Sequence, residues 1–388
     1  MAARRPIVLA AGGTGGHVFP AQALAETLDR RGWKLALVTD RRGGAYGGAL
    51  GTIDTHRISA ASPTGGVFGR LSGLVQLGAG LLQARPLLAR LAPAVVVGFG
   101  GYPSAPTVWA ATQARIPTLI HEQNAVMGRA NRLLARRASR IATSFARTDR
   151  IDPRDTHKVR HTGNPVRTPV AALAARPYQP PGETGTPLRV LVTGGSQGAA
   201  ILSRVVPPAI AALPEELRRR LTVDQQCREE DVDAVRRAYE DAAVACDIAT
   251  FFDDMAERLG AAHLLIGRAG ASTVAEITAA GRPAILVPYA LAADNHQLAN
   301  AQAAQATRGA WVMTEAEFTP DALAERLGAV LAQPTELALA AARLREAGRP
   351  DAARRLADAV EALAETGRNG GAGAISDTVS DTGREAAA

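Results

Sequence analysis

The feature that most constrains this chain is a unit it uses twice: a short apolar run that breaks into a glycine turn and reopens with helical character. Residues 7–11 run into Gly12-Gly13-Thr14-Gly15-Gly16-His17, and residues 19–25 continue as a helix. In the second half residues 188–192 run into Thr193-Gly194-Gly195-Ser196-Gln197-Gly198, and residues 199–202 follow in the same way. A bare glycine turn at a helix start presents consecutive N–H groups, and the helix dipole adds partial positive charge there. Each unit is therefore a candidate phosphate seat, for two ligands or for one held between two similar domains. For the first turn the alternative is that its glycines only let helix and strand pack closely.

Apolar runs of strand length recur at 34–39, 94–98, 118–121 and 140–143, with helix-sized stretches such as 20–31 and 126–138 between them. This alternation predicts βαβ units and a parallel sheet covered on both faces. After a Pro-, Gly- and Ala-rich stretch at 171–187, read as a linker, the alternation restarts at 189–193, 221–225, 263–266, 284–287 and 310–313. The expected fold is α/β, with two Rossmann-like parallel-sheet domains facing across a cleft. Residues 1–166 form the first and 167–349 the second, a helix over 350–366 packs back on the first, and 367–388 form a disordered tail. Ligands of open parallel sheets bind outside the carboxyl ends of the strands, so the cleft is the expected site.

A length of 388 residues supplies two full cores. The formal charge of +7 favours anionic partners, although arginine-rich usage also fits a genomic bias. Only Cys227 and Cys246 occur, without a CxxC, which points away from a disulfide scaffold or a zinc site. The first residues lead into a strand too short for a signal-peptide core or a spanning helix, so a cytoplasmic protein is expected, with membrane-surface contact left open.

The GxGxxG frame of dinucleotide sites fails, because it would need glycine at Val18, even though Asp40 stands near where a ribose-binding acid belongs. No GK[ST] follows either turn. His17 is the first polar side chain after the first turn. A helix N-terminus disfavours imidazolium, so His17 is a candidate base for a sugar hydroxyl, or else it only bonds a neighbouring loop. His121-Glu122-Gln123-Asn124 closes a strand and reads as a ligand contact or as a capping network. Gly98 to Ser104 is another bare turn. Arg167, in Gly163-Asn164-Pro165-Val166-Arg167, reaches a diphosphate or tethers the domains. A third glycine break at 267–270 leads to Glu276, which either accepts both hydroxyls of a ribose or closes a capping box with Thr273. Asp231-Val232-Asp233 reads as a solvated helix start rather than a metal-binding DxD. His157 and His161 have helical metal-ligand spacing but no third ligand.

In order along the chain, the blocks GGTGGHVFPA, GFGGYPS, HEQNAVMGRAN, GNPVR, GGSQGA and RAGASTVAEI resemble those of the MurG family of GT-B-fold glycosyltransferases, up to about Thr366. The resemblance implies inverting transfer of N-acetylglucosamine from UDP-GlcNAc to the C4 hydroxyl of the muramoyl sugar of lipid I. The product is lipid II for peptidoglycan, hence cell-wall biogenesis, cell shape and cell division, and no metal or cofactor is implied. On the second domain it implies donor contacts from Ser196, Phe252, Ala271, Ser272, Thr273, Val274, Ala275, Glu276 and Gln297. Glu276 would take the ribose, the Phe252 backbone the uracil, and Ser196 with Arg167 the diphosphate. Thr14, Gly15, Gly16 and Asn124 match the first-domain side, where the same glycine turns receive the acceptor diphosphate. His17 and Glu122 are rival bases. His296 stands where some members have a second glutamine, and residues 225–228 replace a His-Gln-Ser-Gly stretch.

The implied partners are UDP-GlcNAc, the undecaprenyl-diphosphate-linked muramoyl pentapeptide and an anionic membrane surface, without nucleic acid. The implied location is peripheral, on the cytoplasmic face of the inner membrane. Residues 68–82, flanked by Arg70 and Arg85, suit an anionic bilayer or form an amphipathic helix packed on the sheet. A transferase of the same fold with another donor or acceptor, and a membrane scaffold that senses a nucleotide sugar without transfer, are the alternatives.

Overall fold

A parallel strand covered on both faces buries every side chain, and strands form where the sequence is apolar without interruption. The computed structural model describes residues 5–13, 15–40, 48–60, 67–182, 187–195 and 198–372. Its first sheet contains β1 (Ile7–Ala10), β2 (Leu35–Asp40), β3 (Asp54–Ile58), β4 (Val95–Gly98), β5 (Thr118–Glu122), β6 (Arg140–Thr143) and β7 (Val159–His161), in the order β3-β2-β1-β4-β5-β6-β7. The second contains β8 (Leu188–Thr193), β9 (Leu221–Gln226), β10 (Ala245–Ala249), β11 (Leu264–Gly267), β12 (Ala284–Leu286) and β13 (Ala310–Val312), in the order β10-β9-β8-β11-β12-β13. Pairing is parallel throughout, with Ile7 opposite both Leu35 and Val95, and Leu264 opposite Val190.

Each sheet is the middle of three layers. On one face of the first, Leu24 and Leu28 of the helix Gly15–Arg30 pack with Leu356, Val360 and Leu363 of the helix Ala352–Ala372. On the other face lie Ala84 and Leu88 of the helix Val67–Leu91, with Val108 and Leu134. The late helix is also tied by charge: Arg31 pairs with Asp358 at 2.8 Å and with Glu361, and Trp33 Nε1 donates to Glu361 at 2.7 Å. It runs on to Ala372, past Gly367 where a disordered tail was expected to begin, and residues 373–388 lie outside the described residues.

The stretch expected to be a linker starts as packed structure. Thr168–Ala172 is helical, and Val170 and Leu173 are buried in the second domain's core, so among the described residues of this stretch only 176–182 and 187 run as irregular chain. The chain passes between the sheets through residues 163–167 and returns through 348–351. The two crossings touch, because Gly163 takes φ +84° and a Cβ there would stand 2.6 Å from Arg349 Cβ.

In each sheet the chain order reverses beside its first strand, between β1 and β4 and between β8 and β11. These are the topological switch points where such sheets bind ligands. All four strands end in glycine turns, which places the two candidate phosphate seats and the two other bare turns side by side in pairs.

Candidate functional site

The two switch points share one cavity of about 650 Å³. From the first sheet it takes Gly15, Gly16, His17, Phe19 and Asn124, and Arg167 reaches it from the crossing. From the second it takes the turn Gly194, Gly195 and Gly198, with Phe252, Ala271, Ser272, Thr273, Glu276 and Gln297. Thr14 and Ser196 lie outside the described residues.

His17 is the third residue of its helix, and its ring lies over the turn Gly100-Gly101, whose φ values are +81° and +68°. A Cβ on Gly101 would come within 3.5 Å of His17 Cε1. The bare turn noted in the sequence is thus a seat for an imidazole. Burial, and then the His296 ring, hold His17 down to about 4. The neutral state expected from the helix dipole is present, with desolvation as its larger cause. His296 is oriented by its Nδ1, which donates to the carbonyl of Ala293 at 2.7 Å.

The polar cluster after β5 divides. Only Asn124 lines the cleft. His121 is fully buried, held to about 4 mainly by that burial, and bonded to the Gly163 carbonyl at 3.2 Å and the Gln123 amide at 3.1 Å. Glu122 is buried as well and does not reach the cleft. Its carboxylate accepts from Asn124 N (3.0 Å), Asn124 Nδ2 (3.3 Å), Gly128 N (3.0 Å) and Asn131 Nδ2 (2.8 Å). Burial raises its pKa while these donors oppose the rise. Glu122 is therefore corrected from rival base to the residue that shapes the loop bearing Asn124. Glu122→Ala strands several buried donors, each costing about 1–3 kcal/mol. A denaturant melt should read a loss of about 2–4 kcal/mol, and an unchanged midpoint would contradict this role.

The helix Ala271–Ala280 resolves the capping-box alternative. Its N-cap is Gly270 with no side-chain cap, so Thr273 and Glu276 do not close a box. Glu276 faces the cleft, with Oε1 3.4 Å from Arg167 Nη2, and burial raises its pKa against the pull of Arg167. Arg167 Nε and Ser272 Oγ are buried without partners, so the cleft offers unused donors beside this carboxylate. Val274 and Ala275 correct the expectation. At 100° per residue they turn to the rear of the helix, with Val274 in the core.

Other residues at the site had no role assigned from the sequence. Arg258 stacks 3.9 Å from the Phe252 ring centroid while three carboxylates, Asp224, Asp247 and Asp254, hold it at 2.7–2.8 Å. Tyr289 N donates to Gln297 Oε1 at 2.9 Å and fixes that amide. Thr193 Oγ1 accepts from Gly195 N at 3.2 Å and donates to Gln226 at 2.8 Å, which gives the unfamiliar 225–228 stretch a supporting role. Arg228 lines the cavity with its stem against Gly198. Asn300 bridges the halves. It accepts from Ala125 N at 2.8 Å and donates to Asn124 Oδ1 and to the Ala269 carbonyl, both at 3.1 Å. Asp294 completes the bridge with Arg150 at 2.7 Å and Arg132 at 3.3 Å.

The HxxxH pair of the sequence is broken, with His157 in a 3-10 turn and His161 in β7. Among the described residues no cluster of His, Cys, Asp and Glu suits a metal ion.

Two parallel α/β sheets with facing switch points and one shared cleft are the GT-B architecture. Residues 7–143 match the glycosyltransferase family 28 N-terminal domain, and residues 189–356 match the glycosyltransferase family 28 C-terminal domain. The chain belongs to the MurG family within glycosyltransferase family 28. It is 57% identical to a protein of Rhodospirillum centenum over 93% of this chain and 95% of the relative, and 55% identical to one of Paramagnetospirillum magneticum over 94% and 98%. Both relatives are named UDP-N-acetylglucosamine–N-acetylmuramyl-(pentapeptide) pyrophosphoryl-undecaprenol N-acetylglucosamine transferase. The crystal structure of Acinetobacter baumannii MurG superposes with a TM-score of 0.73 at 29% identity, covering 92% of this chain and 99% of that one.

Proposed function

We propose that this chain transfers N-acetylglucosamine from UDP-GlcNAc to the C4 hydroxyl of the muramoyl sugar of lipid I, with inversion and without a metal ion. The observation that carries the reading is a single cleft in which a neutral imidazole from one sheet faces a carboxylate and two helix N-termini from the other, with an arginine reaching in from the crossing between them. Residues 1–166 with the helix after 350 serve the acceptor and the membrane, and residues 167–349 hold the donor. Glu276 accepts the ribose hydroxyls, the Phe252 backbone meets the uracil, and Arg167 with the glycine turns takes the diphosphate. As the C4 oxygen bonds to C1 of the donor sugar, its proton passes to His17. The bond from C1 to the diphosphate breaks, and its electron pair leaves with UDP. Developing charge on UDP is met by Arg167 and by backbone N–H groups already in place, the preorganisation that lowers such barriers. The test is transfer of labelled sugar from UDP-GlcNAc to a lipid I analogue in excess EDTA. Label in the lipid fraction is expected, and donor cleavage confined to another sugar or acceptor would overturn the reading.

A peripheral site on an anionic membrane is supported by the helix Val67–Leu91, where Leu71, Leu74, Val75 and Leu82 are exposed on one side while Ala84 and Leu88 are buried. Within 68–82 the packed-helix alternative has support as well, since Leu81 lies against the core of the first sheet. No helix among the described residues is long and apolar enough to cross a membrane. Replacing Leu71, Leu74 and Val75 together by serine should weaken sedimentation with phosphatidylglycerol-containing vesicles about tenfold or more. UDP affinity should not move, and unchanged sedimentation would contradict the membrane role of this face.

A further inference from the structure

Behind the donor cleft lies a second cavity, of about 640 Å³, at the place where the chain crosses between the sheets. Its size falls within the range of small-molecule sites. It shares its walls with the donor cleft. On the helix Ala271–Ala280, Ser272, Thr273 and Glu276 face the cleft, while Ala275 and Thr278 face this cavity. On the helix His296–Ala306, Gln297 faces the cleft and Ala299 and Ala303 face the cavity. Those rear faces are mostly short and apolar, with Thr278 and Gln302 as polar exceptions.

One end is different. Asn164, from the first crossing, is 5% exposed, and neither Nδ2 nor Oδ1 has a partner. Arg349, from the second crossing, lines the same cavity with its Nε unpartnered, and among the described residues no carboxylate pairs with it. Its stem is fixed over Gly163, where only a glycine leaves room. His161, also in the wall, is pushed down by burial and by the charges of Arg349 and Arg355. The other charged groups lining the cavity, Arg147 and Asp149, pair with each other at 3.4 Å, which leaves Arg349 as the charge without a counter-ion among the described residues. An unpaired buried amide is costly, and a ligand accepting from both groups would relieve that cost.

We propose that this cavity is a second binding site, taking a small amphiphilic anion whose phosphate or carboxylate meets Asn164 and Arg349 while its apolar body lies against the alanine-lined rear of the two donor helices. This goes beyond the transferase reading and does not depend on which sugar is transferred. Asn164 precedes by three positions Arg167, which contacts Glu276, and the ligand would hold the two crossings at one separation. Occupancy therefore changes the affinity of the donor cleft for a nucleotide.

The test titrates phenyl phosphate, with phenol as the uncharged control, into the full chain, into Arg349→Gln and into Ala303→Phe, which fills the apolar end. The wild type should bind phenyl phosphate with Kd near 1 mM, more tightly than phenol. Each variant should weaken it about tenfold while keeping its affinity for UDP alone, the evidence that each is folded. Saturating phenyl phosphate should change the Kd of UDP about threefold or more in the wild type only. Binding that persists in both variants would place the probe in the donor cleft and overturn the proposal, as would absence of binding. Binding that leaves UDP affinity unmoved would overturn the coupling.

Discussion

Glu276→Ala should raise the KM for UDP-GlcNAc by about 10²–10³, with a matching loss of UDP affinity in a direct titration. The carboxylate sits in the wall of the cleft with little exposed surface, and its ion-pair partner there is Arg167. Hydrogen bonds from ligand hydroxyls to a charged acceptor contribute about 1.5–3 kcal/mol each, and a ribose offers two. Truncation also leaves Arg167, whose Nε is already unpartnered, as a partly buried cation without its counter-charge. Glu276→Gln keeps one acceptor oxygen and should recover part of the loss. Because the capping box is not formed, neither variant should disturb the helix start, and thermal stability separates binding from folding. A KM within threefold of wild type in Glu276→Ala would show that the carboxylate does not hold the nucleotide.

His17→Ala should lower kcat by about 10²–10⁴ while UDP affinity stays near wild type, since a positioned general base contributes on that order. The pH dependence carries further information. With its pKa held down to about 4, His17 is unprotonated and able to accept a proton throughout the neutral range, and loses that ability only as pH falls through about 4. The acid limb of the wild-type profile should therefore lie well below the 6.5 of a free imidazole. The stability sign follows from the same shift. His17 and His121 both have depressed folded-state pKa values, so the unfolded chain takes up protons first as pH falls below 6.5. Their contribution is complete above 6.5 and is lost progressively toward 4. A kcat unchanged by His17→Ala would remove His17 from the chemistry, and no second base is offered by Glu122, whose oxygens are occupied by the loop they shape.

The contrast between what was legible in the sequence and what was not has a physical origin. The interior strands were legible because burial on both faces writes a continuous apolar run, as in Ile7–Ala10 and Val95–Gly98. The missed strands β3, β7 and β10 are all at sheet edges, where Asp54-Thr55-His56-Arg57 or Ala245-Cys246-Asp247 keep water on one side and the apolar signal vanishes. The glycine turns announced the site, since their function is carried by backbone. What they do for one another was hidden: nothing local says that Gly100 and Gly101 make room for His17. Within His121-Glu122-Gln123-Asn124 the four polar residues look equivalent in the sequence, and only the folded loop turns Asn124 outward and Glu122 inward. The roles of Arg258 and Asn300 were hidden for a related reason, because each works through partners far along the chain. The separation of the helix Ala271–Ala280 into a cleft face and a rear face was legible in principle from its 3.6-residue period, yet treating the whole stretch as one motif placed the Val274 and Ala275 side chains on the cleft side.

The central claim is that one cleft brings a neutral base and a bound nucleotide sugar together for a single direct displacement. The most direct measurement is the anomeric configuration of the sugar transferred from UDP-α-GlcNAc to a lipid I analogue, read from the proton coupling at C1 of the isolated product. The account predicts a β-linked sugar on C4 of the muramoyl residue. An α-linked product, or a sugar on another hydroxyl, would contradict it.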